Sequence, residues 1–505
     1  NYFKNENSRK AISMAINGIP KEGDIEFKLV AGDKDSRGVN LKLESKVFSC
    51  DNISGQKPIA ILIPGIMGST LADKENDLWL SILRLNKGAL IDKMNIGAKG
   101  IYSTGAMDKF YSKIGNFLLK DHELKVFGFD WRLDMATAAR DLASLIDKYM
   151  EYDRPIHIIA HSMGGLVMKQ IMINHSQTID NFSKGVNNKL FLLGTPWLGS
   201  HLIMEVLTGH SDRVKLLSFI DFKYTKKEIV QSVSNYPGVM QLLPMTNEGF
   251  EKESFWQDKS NYANDTAVPN QQMLTLYHNY KNSTQSYKMP VELFKKVYYI
   301  AGHSKTVNGY DLQTKLFGGK KLVYKTTMLG DGSVTWELGI PSEVPTTNVY
   351  YSEISHGSLA NEEVIFETIR EIIQFGSSGF LPQVPPVSRG LEVEEEKKDV
   401  DIIVENDNQI IETIFDGFNE SNKSKVDDSL VNVTVLNADL KYAAHPVLVG
   451  HFLHDGLYSA EKSLDTYLKQ KLSERHRLGF YPGDIGASEV TYQSDSKPKG
   501  ALIAG

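Results

Sequence analysis

The stretch PIHIIAHSMGG at residues 155–165 constrains the fold of this chain more than any other part of the sequence. A short apolar run of β-strand character leads directly to Ser162, and a helical pattern follows the two glycines. Small residues on both sides of a sharp turn let a strand and the next helix pass closely. The pattern matches the nucleophile elbow G-x-S-x-G, with Ala160 in the first glycine position, and predicts that Ser162 is a nucleophile. The alternative is a serine that only caps a helix.

Strand-like and helical patterns alternate on both sides of this turn. Apolar runs typical of buried strands occur at KPIAILIPG, HELKVFGFDW, PIHIIAHS and KLFLLGTPW, and later at KKVYYIAGH and TNVYYSEISHG. Stretches with apolar residues at helical spacing lie between several of them, for example DMATAARDLASLIDKYM. This alternation predicts βαβ units and therefore an α/β protein with a mostly parallel central sheet.

Changes in composition divide the chain further. Residues from about 200 to 290 are rich in Tyr, Lys, Met and Asn and lack the βαβ alternation, so we predict an inserted cap. The Pro-, Gly- and Ser-rich stretch SSGFLPQVPPVSRG and the charge run LEVEEEKKD are typical of a solvated connector. We predict an N-terminal β extension (1–56), an α/β domain (57–376), a linker (377–399) and a small C-terminal α+β domain (400–505) of accessory or regulatory type. Since the chain lacks an initial Met and ends in the apolar run ALIAG, we expect a longer parent protein.

Composition excludes several classes of function. The net charge of −6 does not favour bulk nucleic-acid binding, which usually needs a basic face. No apolar stretch approaches transmembrane length, and the N-terminus has no signal-peptide core, so we expect a cytoplasmic protein, with peripheral membrane contact as an option. Cys50 is the single cysteine, which excludes an internal disulfide. We find neither metal-ligand spacing nor a nucleotide-binding loop and therefore predict no metal and no cofactor.

A nucleophilic serine needs a general base and an acid that orients the base. In α/β proteins with this elbow the order along the chain is Ser, then Asp or Glu, then His. Asp331, in the glycine-flanked turn MLGDGSVTW, is our predicted acid, and Asp311 ranks second. His356 follows a strand and precedes the last helix of the domain, so we predict it to be the base, with His303 as its rival. We interpret His157 and His161 as structural.

The chemistry also needs two backbone N–H donors that stabilise an oxyanion. The residue after the nucleophile, Met163, should provide one of them, since it begins the helix. The loop after the first sheet strand should provide the other, and ILIPGIMGST places Ile66 there. An ordinary turn at the end of a strand is the alternative.

A series of short motifs occurs in a characteristic order from about residue 57 to 376. They are PGIMGSTL, LWL, FDWRLD, AHSMGG, GTPWLGS, QLLP, GDGSV and a final His. In this order the chain resembles the lecithin:cholesterol acyltransferase-like family of α/β-hydrolases, which includes lysosomal phospholipase A2-type enzymes. The resemblance implies the triad Ser162, Asp331 and His356 and the oxyanion donors Ile66 and Met163. It also implies hydrolysis or transfer of fatty acyl groups from glycerophospholipids or related esters through an acyl-serine.

Three features near the predicted pocket keep alternatives open. Trp131 is expected to line the pocket, with Asp130 and Arg132 as structural supports beside it. Trp197 lines an acyl groove or packs in the interior. A membrane-facing edge and the core of the cap are equally consistent with the apolar residues Leu83, Leu85, Leu90, Ile91 and Met94.

The C-terminal domain shows no catalytic constellation, and we interpret His445, His451 and His454 as structural. The domain is weakly similar to one that accompanies caspase-like CHAT proteases in bacterial multidomain proteins. That similarity implies a protease or regulatory partner and a hydrolase held in check as a bacterial antiviral defence effector. Two rival functions remain for the chain: a hydrolase of soluble esters or thioesters, and a catalytically dead scaffold that binds a partner protein.

Overall fold

The predicted strands and helices form a layered α/β structure in a computed structural model. The model describes residues 49, 53, 55–74, 76–314, 319–386, 393–395, 413, 440, 443, 446–451, 456–479, 481–482, 488–493 and 496–504. Cys50, His445, His454, nearly all of the predicted β extension, and nearly all of the strand-like runs DIIVEN and LVNVTVLNADL lie outside these residues. The described residues fall into two compact units, one that ends at Thr413 and one that begins at Leu440, and each is described by itself.

Secondary structure follows the predicted order closely. The described strands are β1 (Ile59–Ile63), β2 (Ser69–Ala72), β3 (Asp77–Trp79), β4 (Tyr102–Ala106), β5 (Glu123–Val126), β6 (Ile156–His161), β7 (Lys189–Leu193), β8 (Val297–Ala301), β9 (Thr306–Thr314), β10 (Lys320–Thr327), β11 (Val349–Tyr351), β12 (Val393–Glu395), β13 (Val447–Gly450), β14 (Ser488–Tyr492) and β15 (Gly500–Ala504). The described helices are α1 (Ile82–Leu85), α2 (Ala89–Asp92), α3 (Asp108–Leu119), α4 (Met135–Met150), α5 (Met163–Asn174), α6 (Ser176–Lys184), α7 (Leu202–Leu207), α8 (Asp212–Ile220), α9 (Lys226–Val233), α10 (Pro237–Met240), α11 (Glu253–Ser260), α12 (Gln271–Gln285), α13 (Val291–Phe294), α14 (Trp336–Gly339), α15 (Glu363–Phe375), α16 (Ser459–Tyr467) and α17 (Lys471–Arg477).

A six-stranded parallel sheet forms the centre of the first unit. Its strand order is β11-β8-β7-β6-β1-β5, and its strands pair in parallel, for example Ile63 with Ala160 on β6. Every residue of β1 and β6 is buried, as expected for a parallel sheet covered by helices on both faces. The sheet confirms the predicted α/β class and, with the strand–serine–helix corner after β6, the α/β-hydrolase fold.

Helices α7–α13 lie between β7 and β8, and we call this segment the cap, after the insertion that the sequence predicts there. Helix α5 begins directly after Ser162 and is buried from Met163 to Met172. A helix that is covered on all sides does not need a polar face, which explains why its sequence is mostly apolar, with the buried Lys169 donating to the carbonyl of Trp197 at 2.7 Å.

The charge run after the linker differs from its prediction. Residues Val393–Glu395 form β12, an antiparallel edge strand on β10, with Glu395 opposite Tyr324. The sequence predicts a solvated connector there, since a charge run next to a linker is usually exposed to solvent. An edge strand tolerates charge, since its pairing depends on backbone groups and its side chains can face water.

The second unit is a small α+β domain, as predicted. Strands β13, β15 and β14 form its sheet in that order, and β15 pairs with both neighbours. A small core holds Leu464, Leu468, Leu472, Ala501 and Ile503. The predicted single helix SAEKSLDTYLKQKL is interrupted between α16 and α17, because Lys469 and Gln470 have left-handed φ values of 57° and 63°.

In the part of the chain that the structure describes, every helix is too short or too polar to cross a membrane.

Candidate active site

Ser162 occupies a strained corner at the end of β6. Its φ of 53° is left-handed, a conformation that L-residues other than glycine rarely adopt. Its backbone N–H donates to the carbonyl of Leu193 on the neighbouring strand at 2.8 Å, which fixes the corner to the sheet. A Cβ on Gly164 would lie 2.7 Å from the carbonyl oxygen of Ile63, so only glycine fits where α5 leaves the strand. The positive φ and this close approach are the features expected of a nucleophile elbow.

Three of the predicted residues form one hydrogen-bonded chain. Ser162 Oγ lies 2.8 Å from His356 Nε2, and His356 Nδ1 lies 2.8 Å from Asp331 Oδ2. All three side chains are buried, although 194 residues separate the serine from the histidine in sequence. Parallel strands bring them together, because the loops that follow β6 and β11 leave the same edge of the sheet.

The second carboxylate oxygen of Asp331 is held by its own turn. Oδ1 accepts hydrogen bonds from the backbone N–H of Ser333 at 3.0 Å and of Val334 at 2.7 Å. The backbone N–H of His356 also donates to the carbonyl of Asp331, at 2.8 Å. The GDGSV turn therefore leaves Oδ2 to face the histidine and fixes the loop that carries it.

The rival acid and base lie elsewhere. His303 pairs with Glu353, with Nδ1 and Oε2 2.7 Å apart. Asp311 lies on β9, where Lys325 faces it across the strand pair. Neither residue contacts Ser162 or His356 in the hydrogen bonds of the described chain.

The loop after β1 lies against the serine. A Cβ on Gly65 would come within 2.8 Å of Ser162 Cβ, so the backbone of the loop reaches the nucleophile directly. Ile66 follows and lines the cavity beside Ser162. Met163 is the first residue of α5, where helix N–H groups point away from the helix. The two predicted oxyanion donors thus belong to backbone segments on either side of Ser162.

A cavity has Ser162 and His356 in its wall. Most lining residues are apolar, including Leu202, Val206 and Val214 from the cap. Trp131 lines the cavity, as predicted, and its indole N–H finds no hydrogen-bond partner among the described residues. An elongated apolar group therefore has room beside the nucleophile.

Two predictions about apolar residues need correction. Trp197 is outside the cavity lining and packs beneath Lys169, whose Nζ lies 4.6 Å from the indole ring. The packing alternative therefore describes Trp197, whereas the preceding Pro196 does line the cavity. Leu85, Leu90 and Met94 are buried in the core, so these three do not form a membrane-facing edge. Ile91 is half-buried, and the side chain of Leu83 lies outside the described part.

Asp130 and Arg132 act as structural supports, as interpreted. The Nε of Arg132 donates to Asp130 Oδ1 at 2.9 Å, and its Nη1 donates to the carbonyl of Met94 at 2.6 Å. This pairing ties the loop of Trp131 to the segment after α2.

Sequence reasoning missed Tyr111 and underestimated His161. The Tyr111 hydroxyl contacts His161 Nδ1 at 2.8 Å, and the backbone N–H of Gly65 donates to it at 2.9 Å. Nothing in DKFYSKIGNFLL distinguishes this tyrosine from an ordinary buried residue of an amphipathic helix. His161 could be noted in the sequence because it precedes Ser162, but its partners, Tyr111 and the carbonyl of His356, come from distant parts of the chain.

The arrangement fits nucleophilic acyl transfer. A serine hydroxyl within reach of an imidazole, which is oriented by a carboxylate, is the geometry for attack on an ester carbonyl. In the described part of the chain, no cluster of three or more His, Cys, Asp or Glu side chains is suited to hold a metal ion.

Comparison with known proteins finds the same family as the motifs. Residues 108–212 match the family model described as lecithin:cholesterol acyltransferase, which confirms the resemblance over that segment. Phosphatidylcholine-sterol acyltransferase of Mus musculus is 29% identical over 116 residues, which are 22% of this chain and 26% of that protein. The enzyme of the same name from Rattus norvegicus is 27% identical over 132 residues, 25% of this chain and 29% of that protein. The matches thus span about a quarter of these relatives.

Solved structures of lipases are distant neighbours. The mature lipase BlEst2 of Bacillus licheniformis is 14% identical with a TM-score of 0.33, and the match covers 65% of this chain and 99% of that one. Phospholipase PlaB from Legionella pneumophila is 13% identical with a TM-score of 0.24, and the match covers 63% of this chain and 57% of that one.

Proposed function

The chain is an α/β-hydrolase that resembles the lecithin:cholesterol acyltransferase family over residues 108–212, and we propose that it is a serine-dependent acyl-ester hydrolase or acyltransferase. The observation that carries the proposal is the hydrogen-bonded chain from Ser162 through His356 to Asp331, with both distances at 2.8 Å. A dead scaffold would have no need to keep this geometry or the strained φ of Ser162.

The proposed mechanism follows from these contacts. His356 Nε2 takes the proton of Ser162 Oγ as that oxygen attacks the ester carbonyl. Asp331 stabilises the imidazolium that forms, and the N–H groups of Ile66 and Met163 stabilise the negative carbonyl oxygen. Collapse of the tetrahedral intermediate releases the alcohol, which takes the proton from His356, and leaves an acyl-serine. Water or an acceptor alcohol then attacks the acyl-serine by the reverse sequence and frees Ser162.

We propose a lipid ester as the substrate class. The cavity accommodates an acyl chain along apolar cap residues such as Val214 and Leu217. Arg213, the one lysine or arginine among the described lining residues, donates to Ser333 Oγ at 3.2 Å. A guanidinium near the reacting centre favours an ester with an anionic group, such as the phosphate of a glycerophospholipid.

We further propose peripheral membrane contact through the cap. Phe219 and Phe222, at the end of α8, expose 54% and 83% of their surface. The N–H of Phe222 donates to the carbonyl of Asn86, next to Lys87, and Lys223 follows Phe222 along the chain. Exposed aromatic rings among cations are typical of a surface that docks on anionic lipid.

The C-terminal unit supports a proposal about control. It is a compact unit with its own core around Leu464 and Ile503, and it contributes nothing to the triad. We propose that it is a regulatory module that restrains the hydrolase until a protease or sensor acts, as in a bacterial defence effector.

The function is tested with purified wild-type protein and the variant Ser162→Ala. We expect a fluorophosphonate probe to label the wild type only, and the variant to lose about 10⁴-fold or more in kcat. Phospholipid vesicles, neutral acylglycerols and short-chain p-nitrophenyl esters are offered in parallel. Faster turnover of phospholipid than of the neutral lipid supports the role of Arg213.

The outcomes separate the rival functions. Labelling with turnover of only short esters favours a soluble-ester or thioester hydrolase. A wild type that neither reacts with the probe nor hydrolyses any ester contradicts the proposal and favours a scaffold.

A further inference from the structure

The side chains of Tyr111 and His161 join three segments of the candidate site. The backbone N–H of Gly65, next to Ile66, donates to the Tyr111 hydroxyl at 2.9 Å. The same hydroxyl lies 2.8 Å from His161 Nδ1, and His161 Nε2 lies 2.9 Å from the carbonyl oxygen of His356. We call this chain of hydrogen bonds the Tyr111–His161 link.

The direction of each hydrogen bond is fixed by chemistry. A carbonyl oxygen only accepts, so Nε2 of His161 carries the hydrogen that reaches His356. A neutral imidazole has one N–H, which leaves Nδ1 of His161 as an acceptor for the hydroxyl hydrogen of Tyr111. The tyrosine oxygen then accepts from Gly65. The link therefore has one consistent arrangement of protons, and it uses every polar atom of both side chains.

Burial keeps both side chains uncharged. Burial and, to a smaller extent, the neighbouring His356 ring together lower the pKa of His161 to about 3. Burial also raises the pKa of the Tyr111 hydroxyl above its ordinary value. The two histidine rings have centroids only 5.1 Å apart. A neutral His161 matters there, because a second positive charge would oppose the imidazolium that His356 must form.

The link leaves little freedom on the loop side. A Cβ on Gly68 would lie 2.7 Å from the Tyr111 hydroxyl, so the loop closes tightly around this oxygen. Trp79 Nε1 holds the next turn by donating to the carbonyl of Met67 at 2.8 Å. Because the loop from Gly65 to Gly68 has little free space, a change at the Tyr111 hydroxyl should shift the backbone of this loop.

We propose that Tyr111 and His161 are positioning residues that couple the loop of the oxyanion donor Ile66 to the backbone of the base His356. This inference rests on the proposed acyl-transfer function and adds residues that act through others. Without the link, the loop and the base lose their common support, and both drift relative to Ser162. A displacement of about 1 Å at a reacting centre is enough to cost about 100-fold in rate.

The test compares three variants with a short-chain p-nitrophenyl ester, so that membrane binding plays no part. Tyr111→Phe removes the hydroxyl, His161→Leu breaks both ends of the link, and His161→Gln keeps a donor for the His356 carbonyl. We expect kcat to fall about 10- to 100-fold in the first two, with little change in KM. His161→Gln should recover most of the lost rate. Tyr298→Phe is the matched control, because it removes another tyrosine hydroxyl, which donates to the carbonyl of Gly376 outside the site.

A double variant tests the coupling. If the two residues act as one unit, Tyr111→Phe with His161→Leu is no slower than His161→Leu alone. Thermal unfolding is measured for every variant, and Tyr111→Phe keeps the test decisive if His161→Leu does not fold. A kcat for Tyr111→Phe within about 2-fold of wild type, or losses that multiply in the double variant, overturns the link. Failure of the wild type to react with a fluorophosphonate would instead overturn the acyl-transfer function itself.

Discussion

Buried histidines without a carboxylate partner make the first unit sensitive to acid. His122 Nε2 lies 2.7 Å from His157 Nδ1, with both rings buried. Burial, with a smaller contribution from the neighbouring His122, lowers the pKa of His157 to about 3, and burial also lowers the pKa of His122. His161 is likewise buried, with its pKa lowered to about 3. In the unfolded chain these side chains bind protons below about pH 6.5, whereas in the folded protein they stay neutral.

We therefore predict that the free energy of unfolding is constant above about pH 6.5 and falls as the pH is lowered towards 3. The unfolded state binds more protons throughout this window, so acid favours it. At pH 5 His157 and His161 should each cost about 2 kcal/mol. Denaturant unfolding at several pH values measures the slope, and His157→Gln should make it shallower. His278→Gln changes an exposed histidine of α12 and should leave the slope as it is.

At the scale of elements, helix α8 has two different surfaces. Val214 and Leu217 line the cavity above Ser162, whereas Phe219 and Phe222 at its end face solvent. One short helix thus joins the proposed membrane surface to the proposed acyl site. A lipid that enters from a membrane would meet this helix first.

We predict that Phe219→Ser with Phe222→Ser weakens binding to anionic vesicles at least about 10-fold, since burying one phenylalanine side chain is worth roughly 1.5–3 kcal/mol. Turnover of vesicle phospholipid should fall with it, while turnover of a soluble short-chain ester stays the same. Co-sedimentation with vesicles measures the binding. Phe375→Ser is the matched control, because Phe375 is 75% exposed and belongs to α15 rather than to the cap. Equal losses in both variants would contradict a specific surface on α8.

At the scale of the whole molecule, the division into two compact units allows a test of whether the C-terminal unit regulates the hydrolase. A protease recognition sequence inserted between Asn422 and Lys423, where the first unit ends and the second begins, allows the intact chain to be cut between the units. If the C-terminal unit restrains the hydrolase, cleavage raises turnover of a short-chain ester. Wild type treated with the same protease controls for cleavage elsewhere. Unchanged turnover after complete cleavage would contradict a regulatory role for this unit.

Sequence patterns predicted the features that depend on neighbours along the chain. The parallel sheet followed from buried strands that alternate with amphipathic helices, and the corner at Ser162 followed from the small residues around it. Asp331 could be ranked above Asp311 because it lies in a glycine-flanked turn, and His356 above His303 because it follows a strand and precedes the last helix of the domain. The charge run at Val393–Glu395 was misjudged, since only its pairing with β10 makes it a strand.

The sequence by itself determined the fold class, the elbow and the candidate triad. These depend on the spacing of apolar residues, the position of glycines and the order of Ser, Asp and His along the chain, all of which can be read directly from the sequence. The tertiary structure alone decided which apolar and polar side chains meet. It placed Trp131 on the cavity and Trp197 in the interior, and it joined Tyr111 to His161 across 50 residues of sequence. Such contacts depend on how distant segments pack, and a buried tyrosine or tryptophan has the same local pattern whether it lines a site or fills a core.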